Sequence, residues 1–375
     1  WAFGGETSPD AQKRWYRAFT DALLRHPFVR GTGWWDWSAS RLYPEKDGMT
    51  NSGYCTYGKP AGEVLLAFAN AVEKSCSGKT QPRCLSNPNA DEKTKRVYAY
   101  LSDCFGTSML TSQMESTWMG SPEYEMDYIE KTTGKLPAIR GLDFMHNDFE
   151  GVVERAKAWD ARGGLVTICW HTGVYGSGYN ESLHDDPDYS ALFTPGTAEH
   201  EGMMKSWDRC AKALAELRDA GVPVLWRPFH EFDGQWFWWG KGGAEGFIRL
   251  WRLMYEKFTF AYGLTNLIWV LGYSGEVKDG WYPGDAYCDI IGSDTYDNST
   301  NKKGYEKLCS IADKPLCFHE CGNVPAVESF EEDGDLWLYF MIWHTMHIMQ
   351  NDPENLKAVY NHEKIITLDK LPDLR

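Results

Sequence analysis

Residues Pro223–Gly240 read PVLWRPFHEFDGQWFWWG. The run starts as a short, continuously apolar segment and then sets an Arg, a His, a Glu and an Asp among a dense group of aromatic rings. A strand buried on both faces has this character, apolar along its length and polar only where it emerges. Seven other segments repeat the pattern: SMLTSQ (108–113), PAIRGLDF (137–144), GLVTICWH (164–171), NLIWVLGY (266–273), DIIGSDTY (289–296), PLCFHECG (315–322) and LWLYFMIW (336–343). Helix-like stretches lie between them, over 91–104, 122–133, 147–162, 199–220, 243–262 and 301–313. Eight such strands alternating with helices indicate an α/β chain folded as a (β/α)8 TIM barrel. An open doubly wound sheet fits less well, because no Gly-rich phosphate loop follows the first strand.

The totals narrow the chemistry. With 375 residues there is ample length for one large barrel and its core. A net charge of −15 argues against nucleic acid and anionic membranes, which require clustered Lys and Arg, and favours a neutral partner. Trp, Tyr and Phe make up 15% of the chain, so flat apolar surfaces are in unusual supply. No apolar run is long enough for a membrane span. The ten Cys show no zinc-type spacing. Cys76 and Cys84 are placed to form a disulfide, whereas Cys169, Cys288 and Cys317 read as small buried hydrophobes.

In a (β/α)8 barrel, chemistry gathers where the strands end. Here those positions hold Glu115, Asp143, His171, His230 with Glu231, Tyr273, Asp294 with Tyr296, Glu320, and Trp343 with His344. Glu231 ends strand four (223–231) and Glu320 lies at the end of strand seven, so their carboxyls are expected to face each other across one pocket. Two opposed carboxyls suit glycoside hydrolysis, in which one donates a proton and the other, ionised, attacks the anomeric carbon or activates water. The aromatic surroundings of Glu231 should keep it protonated, while Arg227 and the Tyr296 hydroxyl should hold Glu320 ionised. Four consecutive rings, Trp236–Trp239, cannot all face one way, so some should be exposed to stack on a sugar, Trp236 first among them.

These motifs together resemble glycoside hydrolase family 26, known mainly for endo-β-1,4-mannanases. RPFHEFDGQWFWWG (227–240) carries most of the likeness, supported by LPAIRGLDF, GGLVTICWH, WYPGDAYCDIIGSDTYD, FHECG, YFMIWH and TLDKLP in that order. The resemblance implies that Glu231 is the general acid/base and Glu320 the nucleophile of a retaining double displacement, with carboxyls about 5–5.5 Å apart. It also implies substrate contacts from His171, Arg227, His230, Trp236, Trp281, Tyr296 and Trp343, no cofactor or metal, and a secreted, monomeric enzyme acting on mannan, glucomannan or galactomannan. Mixed-linkage glucan and xylan are the alternative substrates. The loop WHTGVYGSGYNESLHDD (170–186) departs from the family pattern and puts the subsites beside it in question.

Residues 1–75 read differently. AQKRWYRAFTDALLRHPFVRGTGWWDWSASRLY and YCTYGKPAGEVLLAFANAV are similar to the last strand and helices of a glycoside hydrolase family 113 barrel. The expected organisation is therefore a C-terminal remnant of another module (1–75), a polar linker (76–90) and the catalytic barrel (91–375). Glu6 and Asp36 have no complete site in such a fragment. Two rival readings remain. A metal-dependent hydrolase is suggested by His171, His230, His319 and His344, but strand one lacks the usual His pair. A non-catalytic sugar-binding barrel would have no use for both Glu231 and Glu320.

Overall fold

The structure, a computed structural model, describes residues 8–25, 56, 59–76, 84–296, 301–327 and 336–375. The chain divides into two compact units, Trp1–Pro82 and Arg83–Arg375. In the first, helices Pro9–Arg25 and Pro60–Cys76 pack on each other, with Tyr16 and Ala61 buried. The VRGTGWWDW segment, Glu6, Asp36 and the Cys76 side chain expected to pair with Cys84 lie outside the described residues.

The second unit is the barrel. Its strands are β1 Met109–Met114, β2 Ile139–Asp143, β3 Leu165–Cys169, β4 Val224–Arg227, β5 Leu267–Tyr273, β6 Ile290–Thr295, β7 Leu316–Cys321 and β8 Tyr339–Ile342. Each pairs in parallel with the next, and β8 returns to β1, which closes the sheet. A two-residue strand, β9 (Ile365–Ile366), runs parallel to the start of β1. All eight expected strands are present, but β4 stops at Arg227 rather than running on to Glu231. Pro228 has no N–H for the ladder, and Phe229 and Glu231 take left-handed backbone conformations (φ 52° and 54°).

The helices follow their signals. Asp91, Asp148 and Thr197 accept from the first-turn N–H groups of helices Glu92–Cys104, Phe149–Ala161 and Ala198–Asp219. The helix expected to reach 262 is α-helical only over Gly243–Glu256 and continues as a π turn, Lys257–Ala261. Period-2 alternation divides the apolar residues into two cores. Leu225, Ile268 and Cys317 join the cluster of the barrel interior, closed by Val97, Tyr98 and Leu101 of helix Glu92–Cys104. Their neighbours Trp226, Trp269 and Phe318 join the layer between sheet and outer helices. Cys169, Cys288 and Cys317 are buried in these layers.

Part of the stretch read as a linker is tied to the barrel. The Ser86 N–H donates to Asp289 Oδ1 (2.5 Å), and the buried Asn87 amide donates to the Leu264 carbonyl (3.0 Å). Among the described residues, no helix is long and apolar enough to cross a membrane.

Candidate active site

Glu320 sits inside the barrel on β7. The register shift between β6 and β7 at this point lets consecutive residues, His319 and Glu320, turn to the same partner. Arg227, at the end of β4, donates through Nη1 to Glu320 Oε1 (2.7 Å) and to His319 Nδ1 (3.1 Å). His319 Nε2 in turn meets the Tyr273 carbonyl (2.7 Å), so Nε2 carries the proton and Nδ1 accepts from Arg227. The ring fits because residue 272 is glycine: a Cβ there would lie 2.8 Å from the imidazole. On the other oxygen, the Tyr296 hydroxyl donates to Glu320 Oε2 (2.8 Å). His230 Nε2 lies 3.2 Å from Oε1 but out of line for a hydrogen bond. Burial and the neighbouring Arg227 hold His230 well below its ordinary range, so it is neutral.

The expectation that Arg227 and Tyr296 hold Glu320 ionised is only partly met. Burial pushes the Glu320 carboxyl above the usual range and Glu231 adds to this, while Arg227, His171 and the Tyr296 hydroxyl oppose them. Arg227 itself is driven further toward its charged form by Glu320, against the effect of burial.

Glu231 is built by quite different means. Three residues of its loop, Phe229, Glu231 and Gln235, have left-handed backbones, strain of a kind that persists only where neighbours enforce it. Those neighbours are the buried part of the aromatic run. Trp239 Nε1 donates to the His230 carbonyl and Trp238 Nε1 to the Thr172 carbonyl, both at 2.8 Å, and Phe237 stacks on Trp239 (4.4 Å). Asp233, fully buried, accepts from the backbone N–H of Ser274 (2.7 Å) and of Lys278 (3.0 Å), which fastens the loop to the one after β5. The Glu231 N–H donates to the Gly272 carbonyl (2.7 Å). The run therefore divides: Trp238 and Trp239 brace the loop, while Trp236 is 44% exposed. The Trp236 ring crosses Gly234 so closely that a Cβ there would lie 1.9 Å away, and its Nε1 donates to Glu231 Oε2 (2.9 Å).

Burial and a hydrogen-bonded Asp294 push Glu231 well above the carboxylate range. Two ionised carboxylates can only accept, so the bond between them requires a proton. Asp294 is raised to about 6, by burial first and by Glu320 and Asp233 as well. The proton therefore resides on Glu231, with Asp294 as acceptor.

His171 lies beside both carboxyls, its ring 4.6 Å from His230, 5.1 Å from Tyr179, 5.3 Å from Phe237 and 5.8 Å from Trp343. Trp343 is half-buried, and Tyr296 keeps 44% of its surface exposed although its hydroxyl turns in to Glu320. The expected substrate contacts His171, Arg227, His230, Trp236, Tyr296 and Trp343 thus converge around Glu231 and Glu320. Trp281 does not. It is 6% exposed and packs on Phe232 (5.8 Å) and Phe247 (5.9 Å), apolar rings that draw it into the wall behind the Glu231 loop.

Two further residues belong to the site. Asp294 was legible, since two-residue periodicity puts it on the same face as Tyr296. Tyr179, on the short helix Tyr179–His184 of the divergent 170–186 loop, carried no such signal; burial and the Glu231, Glu320 and Asp143 carboxyls raise its phenol. Among the described residues, Asp143, Cys169 and His171 form the one group whose donor atoms could hold a metal, all within 4.8 Å of each other. Asp143 and His171 already bond each other, and Arg227 brings positive charge to Cys169. Glu115, another strand-end carboxylate, is occupied by Arg140 (2.8 Å) and Arg155 (2.7 Å).

Comparison with known proteins agrees with this geometry. Residues 86–370 match the model of glycosyl hydrolase family 26, and residues 1–59 match that of glycoside hydrolase family 113. A mannan endo-1,4-beta-mannosidase of Thermothelomyces thermophilus is 33% identical over 315 residues, 77% of this chain and 63% of that protein. Mannan endo-1,4-beta-mannosidase B of Piromyces sp. is 30% identical over 331 residues, 82% of this chain and 57% of that protein. The chain thus spans less than two thirds of the length of either relative. Among solved structures, a beta-mannanase from a symbiotic protist of the termite Reticulitermes speratus, complexed with gluco-manno-oligosaccharide, superposes with a TM-score of 0.71 at 29% identity, covering 78% of this chain and 98% of that one. With a closed parallel barrel, a glutamate delivered beyond β4 and another on β7, and a family match over most of its length, the chain belongs to glycosyl hydrolase family 26.

Proposed function

We propose that the barrel is a retaining endo-β-1,4-mannanase that cleaves mannan, glucomannan or galactomannan. One observation carries the reading: two glutamates coupled through the same cleft, one kept protonated by burial and Asp294, the other gripped at both oxygens by Arg227 and Tyr296. Glu231 protonates the glycosidic oxygen as it leaves, while Glu320 attacks the anomeric carbon and forms a glycosyl-enzyme ester. Glu231, now ionised, takes a proton from water, which attacks the same carbon and releases Glu320 with net retention. His171, His230, Trp236, Tyr296 and Trp343 surround the sugar, and Arg227 holds Glu320 from behind. The curated relatives named as mannan endo-1,4-beta-mannosidases support the choice of substrate.

In the same reading the enzyme is a secreted monomer, and residues 1–75 are the C-terminal part of another glycoside hydrolase module. The test is to incubate the protein with mannan, glucomannan, mixed-linkage glucan and xylan in parallel, following the anomer released by proton NMR. Mannan and glucomannan should be cut to oligosaccharides with the β anomer appearing first. Faster hydrolysis of glucan or xylan would overturn the substrate, and the α anomer appearing first would overturn the mechanism.

A further inference from the structure

Asp143, the last residue of β2, stands beside His171 with its carboxylate fully engaged. Oδ1 accepts from the backbone N–H groups of Met145 (2.9 Å) and His171 (3.0 Å), and Oδ2 lies 2.5 Å from His171 Nδ1. The Cys169 thiol lies within 4.8 Å of the same carboxylate. So many donors leave it one orientation. Burial alone would raise Asp143, but the His171 ring and the two backbone N–H groups outweigh it and hold the group below the usual range. An ionised carboxylate only accepts, so the proton of this pair sits on His171 Nδ1, and in the neutral ring the lone pair lies on Nε2.

We propose that Asp143 is a positioning residue that fixes His171 as its Nδ1–H tautomer and so presents Nε2 to a sugar hydroxyl beside Glu231 and Glu320. The geometry gives the ring no second choice. Main chain and side chain of His171 are both fastened to one carboxylate, and His230, Tyr179, Phe237 and Trp343 pack around the imidazole. Without Asp143, either nitrogen could carry the proton, and half the tautomers would offer a donor where a hydroxyl needs an acceptor. The contact with sugar rests on the function proposed above; the tautomer does not.

The test is nitrogen-15 NMR of the whole protein labelled at histidine, with His171 assigned by comparison with His171→Gln. Where the ring is neutral, it should show a protonated Nδ1 and an unprotonated Nε2. In Asp143→Asn, whose amide can donate to Nδ1, the proton should shift toward Nε2, and kcat/KM on mannan should fall by about 10- to 100-fold with the melting temperature nearly unchanged. Asp143→Glu should recover part of both signals. A wild-type His171 protonated only at Nε2 overturns the proposal without any variant. So does an Asp143→Asn enzyme that loses activity while its His171 signals stay as they were, which would mark a merely structural role. If the substrate panel shows no hydrolysis but the tautomer is as stated, the functional reading fails and the positioning of His171 stands.

Discussion

The loop after β4 and the strand β7 each bring one glutamate to the same cleft, by contrasting routes. Glu320 belongs to strand β7, where it pairs with Asp294 of β6 just past a register shift, and its partners, Arg227 and Tyr296, come from the ends of other strands. Glu231 lies beyond its strand on a strained turn, secured by buried Trp238, Trp239 and Asp233 rather than by sheet hydrogen bonds. A nucleophile benefits from the first arrangement, because its reacting oxygen must hold a fixed place against the anomeric carbon. A proton donor benefits from the second, because a loop lined with rings and one extra carboxyl can raise its pKa independently of its partner.

The sharpest way to break this contrast is to remove the rigid member. Glu320→Gln should lower kcat on mannan by about 10⁴-fold or more, since no other group can form the covalent intermediate; a loss of only tenfold would mean that Glu320 is not the nucleophile. Next is the loop member. Glu231→Ala should cost on the order of 10²–10⁴-fold on mannan and far less on an activated aryl mannoside, whose leaving group needs no proton. Equal losses on both substrates would refute the acid assignment.

Two smaller effects sharpen the account, because they move the same pKa in opposite directions. Asp294 raises Glu231, so Asp294→Asn should lower the pKa of the acid. The protonated form is then lost earlier as pH rises, and the alkaline limb of the kcat/KM profile should move to lower pH. Trp236 has the opposite influence, since its Nε1–H favours the ionised form of Glu231. Trp236→Phe should move that limb slightly to higher pH, since it removes a hydrogen bond to the Glu231 carboxyl. Shifts of the same sign in the two variants would show that Glu231 is not the group titrating there.

Much of the fold was legible because its signals are local and repeated. Eight short, largely apolar runs, such as Leu267–Tyr273 and Leu316–Cys321, alternate with amphipathic stretches, the pattern of a parallel sheet covered on both faces, and eight of them suit a closed barrel. The site was legible to the same depth, since residues at strand ends must converge there. Beyond the strands the reading weakened. WFWW put Trp236 first among the rings to be exposed but left Trp238 and Trp239 open, because their burial depends on which carbonyls wait nearby, those of His230 and Thr172. Trp281 was misjudged for the same reason: its neighbours Phe232 and Phe247 come from another loop and a helix.

Residue order by itself determined the barrel, the two glutamates and the aromatic character of the cleft, since hydrophobic period and strand-end chemistry are written along the chain. Tertiary structure alone decided that Asp294 helps keep the proton on Glu231, that Trp238 and Trp239 turn inward, and that Asp143 holds His171. Those outcomes depend on burial and on hydrogen-bond partners far apart in sequence, such as Arg227 with Glu320 and Glu231 with Asp294, whose energies exist only once the barrel has closed.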